Sequence, residues 1–198
     1  MQSFRDVCNG HYFVIPKHQR GFSWRPNHAK AIFDDLQLAG KQSHYMGPII
    51  VSRTSESDFQ DEDLQTTAQF SLEDGQQRLT TFFIIANELK NRLQELEGAE
   101  TIESRELERM VFYQYQGRQL RLQNMNSSLH NYFSHIVTGK PDPPAKRTPP
   151  MDALDAVKKA VREFVKKLDR REALDWKQRI SNDAKLIWVE LRSEGVNR

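Results

Sequence analysis

Cysteine is almost absent from this chain: Cys8 is the only one in 198 residues. No intrachain disulfide can form, and no cysteine cluster of the kind that holds structural zinc is possible. Any apolar run approaching the roughly 20 residues that a bilayer-spanning helix needs is also missing. The first 20 residues lack the basic-then-apolar pattern of a secretory leader. Together these absences point to a reducing, cytoplasmic setting and away from a membrane. No Gly-x-x-x-x-Gly-Lys-Ser/Thr loop occurs, so any nucleotide hydrolysis must use a site of another kind. No metalloprotease helix motif occurs either. His130 and His135 stand five apart, off the spacing of three or four that shares a helix face, and are read as ordinary helix residues. Cys8 could act as a nucleophile only with a low pKa and a nearby base, and the sequence supplies neither.

What is present is ordinary globular material, 37% hydrophobic and 28% charged, enough for one sizeable or two small domains. The net charge of +2 hides an asymmetry. Residues 1–100 carry 10 Lys/Arg against 14 Asp/Glu, and the remainder 19 against 13. A basic second half can track a phosphate backbone through counterion release, or it can simply carry solvated helix faces.

Patterning divides the chain. Tyr12 to Ile15 is a short apolar run closed by Pro16. Pro26 can open a helix with Ile32, Phe33 and Leu36 on one face and Gly40 as its cap. Tyr45 to Ser52 reads as a buried strand, Thr54 to Thr67 as a polar, acidic loop, and Ala68 to Glu73 as a second strand. Leu79, Phe82, Phe83, Ala86 and Leu89 then keep helical spacing up to Gly98. Beyond it, Arg105 to Gln116 reads as helix, Gln119 to Leu122 as strand, and Leu129, Tyr132, Phe133 and Ile136 as one helix face. Five prolines within Gly139 to Pro150 mark an extended linker. Two helices follow, one marked by Val157, Val161, Phe164 and Leu168 and one spanning Leu174 to Ile180, before a closing strand at Leu186 to Leu191. Trp176 and Trp188 fall in apolar periodic segments and are assigned to the core.

The densest polar constellation is Asp74-Gly75-Gln76-Gln77-Arg78, where a strand candidate hands over to a helix. A helix N-terminus presents free N–H groups and the positive end of its dipole, which suit phosphate, and glycine lets the backbone approach closely. Arg78 can clamp the same phosphate, Asp74 can hold magnesium or orient water, and the Gln76 and Gln77 amides can position that water. The structural alternative is that Asp74 caps the helix, Gly75 serves the turn and the rest is solvated. A second polar cluster, Pro16 to Trp24, also follows a strand candidate. If the two strands are neighbours, Gln19 and Arg20 reach the same sheet edge as Arg78, where open sheets tend to bind ligands. Phe22 and Trp24 can stack on a base, although anchoring the loop to the core is the commoner use of such residues.

The segment FVIPKHQRGFSW at Phe13 to Trp24 resembles the isoleucine-proline-x-x-glutamine-arginine signature of the GmrSD-type restriction N-terminal domain family. DGQQRLTT at Asp74 to Thr81 is similar to the family's second hallmark, with Leu36 after Asp34-Asp35 and YMGPIIV at Tyr45 to Val51 in order between them. The specific resemblance covers residues 10–97, and a looser one runs through Leu120 to Gly139. His18 stands where an aromatic is usual and Glu73 where an apolar residue is usual. The resemblance implies an α/β (α+β) chain: a ParB/sulfiredoxin-like domain over residues 1–97, then a mainly helical extension over 98–198.

It further implies nucleoside triphosphate binding and hydrolysis with Mg²⁺, regulating a DNA-processing protein in restriction or phage defence. By motif position, Asp74, Gln76 and Gln77 are the catalytic candidates. Gln19, Arg20, Gly75 and Arg78 are the nucleotide-binding candidates, and Asp74 is the metal ligand. The contrasting reading is a DNA-binding module without turnover, and a third is a scaffold that keeps the motif without activity. The family's C-terminal nuclease part has no counterpart here. The expected partners are therefore a nucleoside triphosphate, DNA through a longer protein, and a nuclease domain or partner chain beyond Arg198.

Overall fold

The computed structural model describes residues 1–54, 58–60, 66–140, 142, 144 and 146–191, without the side chain of Phe59. The chain begins with a two-residue strand, β1 (Gln2–Ser3), and a short helix, α1 (Phe4–Cys8), neither expected from patterning. Ser3 and Asp6 form a reciprocal cap, each side chain serving the other's backbone N–H. β2 (His11–Ile15) ends at Pro16, and α2 (Pro26–Leu38) opens on its proline and buries Ala29, Ile32, Phe33 and Leu36. β3 (His44–Arg53), β4 (Phe59–Gln60) and β5 (Thr66–Asp74) follow, leading into α3 (Gln76–Glu97). Within the stretch expected as a loop, residues 55–57 and 61–65 lie outside the described residues. The rest departs from that expectation, because Phe59 and Gln60 pair with Thr67 and Thr66.

The helix expected over Arg105 to Gln116 is shorter. α4 spans Ile102–Val111, and a hairpin of β6 (Phe112–Gln114) and β7 (Arg118–Leu120) takes over, turning at Gln116 and Gly117 with φ of 48° and 98°. The strand expected at Gln119 to Leu122 is split at Arg121, whose buried guanidinium bonds the carbonyls of Arg109 and His11, and β8 (Leu122–Asn124) starts after it. α5 (Ser127–Thr138) stops at Gly139. In the proline-rich segment, residues 141, 143 and 145 lie outside the described residues. Its last two prolines already belong to α6 (Pro149–Val165), since proline fits the first turn of a helix, where its missing N–H is not needed. α7 (Arg170–Gln178) passes through a π-helical turn, Arg179–Asp183, into β9 (Ala184–Leu191).

One mixed sheet runs β1-β9-β3-β5-β2-β8, with β4 added on β5. β9 is parallel to β3, β3 antiparallel to β5, and β5, β2 and β8 are mutually parallel. The sheet draws on both sides of residue 97, since β8 and β9 follow it in the chain. Inner-face residues Phe13 and Ile15 of β2, Ile49 and Val51 of β3, Phe70 and Leu72 of β5, and Ala184 and Leu186 of β9 are buried. The chain is thus a mixed α/β fold with helices banked on a sheet.

α3 is buried on every side from Leu79 to Lys90, as a helix enclosed by other elements must be. α4, α6 and α7 pack around it, and Phe4 stacks on Phe82. Phe33, Phe164 and Trp176 lock α2, α6 and α7 together, with ring centroids 4.1 Å and 5.1 Å from Phe33. Trp176 is core as expected. Trp188 is partly buried, packed against Phe70 and His11. Among the described residues no helix is long and apolar enough to cross a membrane.

Burial of Glu88 in α3 pushes its carboxyl pKa up, with Lys158 and Arg162 pulling it back down. A raised folded-state pKa means that the native state holds the proton more tightly than the unfolded chain. Stability from this group is present at low pH and is lost as pH rises through the folded pKa. Glu88→Gln should therefore raise the urea unfolding midpoint relative to the wild type more at pH 7 than at pH 4. A variant less stable than wild type at pH 7 would show that the Lys158 and Arg162 attraction dominates.

Candidate functional site

β2 and β5 lie side by side in parallel, from His11 opposite Ala68 to Val14 opposite Ser71. The segments that leave their C-terminal ends, Pro16 to Arg25 and the Asp74-Gly75 turn, therefore meet at one edge. β3 runs antiparallel to β5, so its beginning reaches the same edge. Leu72 faces Val51 and Asp74 faces Ile50, which leaves Glu73 as an extra residue bulged out of register. Gly75 then turns the chain with φ of 92°, a left-handed conformation that favours glycine, and α3 starts at the next residue.

The two glutamines of the motif point into the neighbouring segment and are buried there. Gln76 Nε2 donates to the Arg20 carbonyl at 2.7 Å. Gln77 Oε1 accepts from the backbone N–H groups of Ser23 at 2.8 Å and Trp24 at 3.2 Å, while its Nε2 donates to the Gly21 carbonyl at 3.2 Å. Gln19 answers from the other side, its Nε2 donating to the Glu73 carbonyl at 2.7 Å. Three side-chain amides thus fasten the loop after β2 to the β5–α3 turn. Phe22 and Trp24 pack against the core, Trp24 also stacking on His28, which fits the anchoring role. Arg20 meets the motif through its carbonyl, and its side chain is exposed.

Arg78 goes the other way, toward β3. Its Nη1 donates to the Pro48 carbonyl at 2.7 Å, and the guanidinium lies against Gly47. Burial pushes its pKa down, with Asp74 and Tyr45 pulling it back up. No ion pair holds Arg78 or Asp74 among the described residues, and the Asp74 side chain is exposed. Asp74 does not cap the helix either: the N-cap is Gly75, and α3 opens without a side-chain cap bond. Glu73 is a contributor that motif spacing did not reveal. Its carboxylate accepts from Ser52 Oγ at 2.8 Å and lies 4.0 Å from His18 Nε2.

A cavity of about 30 Å³ adjoins the motif, between Gln76, Gln77, Phe22, Leu122 and Phe133. That is room for on the order of one or two waters, not for a nucleoside. Cys8 is buried and its thiol pKa is pushed up by burial, so it is no nucleophile. No group of three or more metal-ligating side chains occurs among the described residues. His130 faces the Asn124 backbone N–H.

Gln77→Ala would leave two N–H groups and one carbonyl without their partner, at roughly 1 kcal/mol of net stabilisation per bond. The expected loss is about 2–4 kcal/mol in urea unfolding, with Gly21 to Trp24 becoming the first protease-sensitive segment. Gln77→Glu keeps the acceptor for Ser23 and Trp24 and should lose less. Equal losses in the two variants would show that these bonds contribute little.

A search of curated proteins finds no match. The sequence model of the family described as the GmrSD restriction endonuclease, N-terminal domain, matches residues 3–197. That span takes in all of the described elements from α1 through β9 and the second residue of β1. The chain belongs to the GmrSD restriction endonuclease N-terminal domain family, and with it to the context of restriction and phage defence.

Proposed function

We propose that the chain binds a nucleoside triphosphate by its phosphates at the opening of α3 and hydrolyses it, regulating the DNA-processing activity of a restriction protein. One observation carries this reading. Among the described residues, the uncapped N-terminus of a 22-residue helix and a half-buried guanidinium bonded only to a neutral carbonyl sit at the same corner. Both are positive in sign and both gain from an anion. The N–H groups of the first turn and Arg78 would hold the phosphate chain, with the exposed Arg20 side chain as a second cation at the rim. Asp74 offers one exposed carboxylate, which fits magnesium, an ion that takes one or two protein carboxylates alongside phosphate oxygens and water. Bound there, the ion would neutralise charge on the phosphates as the bridging oxygen departs. Gln76, Gln77 and Gln19 serve as positioning residues that hold the loop, and the water that attacks the terminal phosphorus falls to Asp74 to orient.

Every contact in this reading goes to the phosphates or the ion, so recognition is led by phosphate and the base stays outside. Phosphate release with magnesium should therefore proceed within a few-fold for all four ribonucleoside triphosphates. Arg78→Ala should weaken binding about ten-fold or more, in line with the loss of a charge-assisted contact. Asp74→Ala should lower turnover more than binding. Full activity in both variants would refute the assignment. No release from any nucleotide, together with steeply salt-dependent duplex binding, would favour the DNA-binding module instead.

A further inference from the structure

We infer that Gly47 is the positioning residue for Arg78, its missing side chain being the space in which the guanidinium lies. Gly47 has φ of +108°, and a Cβ built on it would stand 2.5 Å from both Cζ and Nη2 of Arg78 and 3.0 Å from Nε. Real Cβ atoms do not approach other atoms so closely, so any other residue at this position must push the guanidinium away. The planar group lies along bare backbone at Gly47 and is tied at its far corner to the next residue, through the bond from Nη1 to the Pro48 carbonyl. The carbonyl sets its direction and the glycine sets its depth. An arginine side chain is long and flexible, so it can leave this berth without disturbing the sheet. A substitution at Gly47 therefore displaces the guanidinium at the start of α3 in addition to straining its own backbone at φ of +108°.

The functional consequence rests on the phosphate-binding reading above, whereas the placement of Arg78 does not, and the two are tested separately. The measurements are Mg²⁺–tripolyphosphate binding, thermal unfolding and the ¹⁵N Nε–H resonance of Arg78, assigned by its disappearance in Arg78→Lys. Gly40 provides the control: it also has positive φ, at +66°, but a Cβ there meets nothing within 4 Å. Gly40→Ala thus carries backbone strain alone. Gly47→Ala should shift the Arg78 resonance and weaken tripolyphosphate binding about ten-fold or more, matching Arg78→Ala. Gly40→Ala should do neither. Adding Gly47→Ala to Arg78→Ala should cost no further affinity, because the two substitutions remove the same contact.

An unmoved resonance with wild-type affinity in Gly47→Ala overturns the inference, and so do losses that multiply in the double variant. Should Gly47→Ala fail to fold, the double variant, which lacks the guanidinium, must fold. If it does not, the glycine serves its own backbone angle and the inference falls. If the wild-type chain binds no tripolyphosphate, the proposed function fails, and the resonance shift alone still decides whether Gly47 seats Arg78.

Discussion

The reversal at Gly75 governs how this end of the molecule is built. A residue with a side chain would resist φ of 92°, and its Cβ would meet Ile49 Cγ2 at 2.8 Å and the Pro48 carbonyl at 3.1 Å. Only a bare Cα lets the end of β5 turn that tightly against β3 and begin a helix at the next residue. Once α3 starts there, its phase is set. Successive residues advance by about 100° around the axis, so Gln76 and Gln77 face the loop after β2 while Arg78 comes round toward β3. A shift of one residue in the start of the helix would send the amides and the guanidinium to the wrong walls.

The chemistry of each side chain matches the wall it meets. The loop after β2 presents backbone groups of both kinds, two carbonyls and two N–H groups, and an amide can serve both because it donates and accepts. Glutamate could only accept in its ionised form, and asparagine is one methylene shorter. The start of β3 presents a carbonyl and an empty glycine, which a flat cationic donor fills. In this way the motif joins three segments far apart in sequence, and its two charged members, Asp74 and Arg78, are held by no ion pair among the described residues. The body of α3 continues from this corner into the packing of α4, α6 and α7, so a displacement of its first turn is transmitted to a rigid element.

Much of the architecture was legible from pattern. The runs at Tyr12 to Ile15, Tyr45 to Ser52 and Ala68 to Glu73 became strands. The helical faces of Ile32, Phe33 and Leu36, of Leu79 to Leu89, and of Leu129 to Ile136 became α2, α3 and α5. The failures share a cause, since local periodicity does not report distant partners. Phe112 and Tyr113 extend the apolar rhythm of α4, and the helix stops there because β7 offers a pairing partner. Arg121 interrupts an apolar stretch because its guanidinium is consumed by the carbonyls of Arg109 and His11, groups that no local window contains. β9 was legible as a strand at the end of the sequence, but not as the internal strand between β1 and β3. At the corner around Gly75, spacing brought Gln19, Gln76, Gln77 and Arg78 to notice. It did not reveal that the amides are taken up by loop backbone, nor that Gly47, inside an apolar run, is what makes room for Arg78.

Arg78 and the opening of α3 also depart from what stability alone favours. A side-chain cap at a helix N-terminus contributes about 1 kcal/mol, and Asp74 stands one residue too early to supply it. A half-buried cation whose hydrogen bond goes to a neutral carbonyl gives up hydration without the return that a carboxylate partner would bring. Other places in the chain show both arrangements: α2 and α6 also open without a side-chain cap bond, each with proline in its first turn, and the buried Arg121 guanidinium bonds two backbone carbonyls. Ser3, Thr101, Asn126 and Asp169 cap their helices, and Arg147 and Lys177 each find a carboxylate. At the start of α3 the uncapped turn and the half-buried guanidinium coincide in space, agree in sign and flank an exposed carboxylate. A sequence that caps four other helices does not lack the means to cap this one, and a single phosphate group would answer both departures at once.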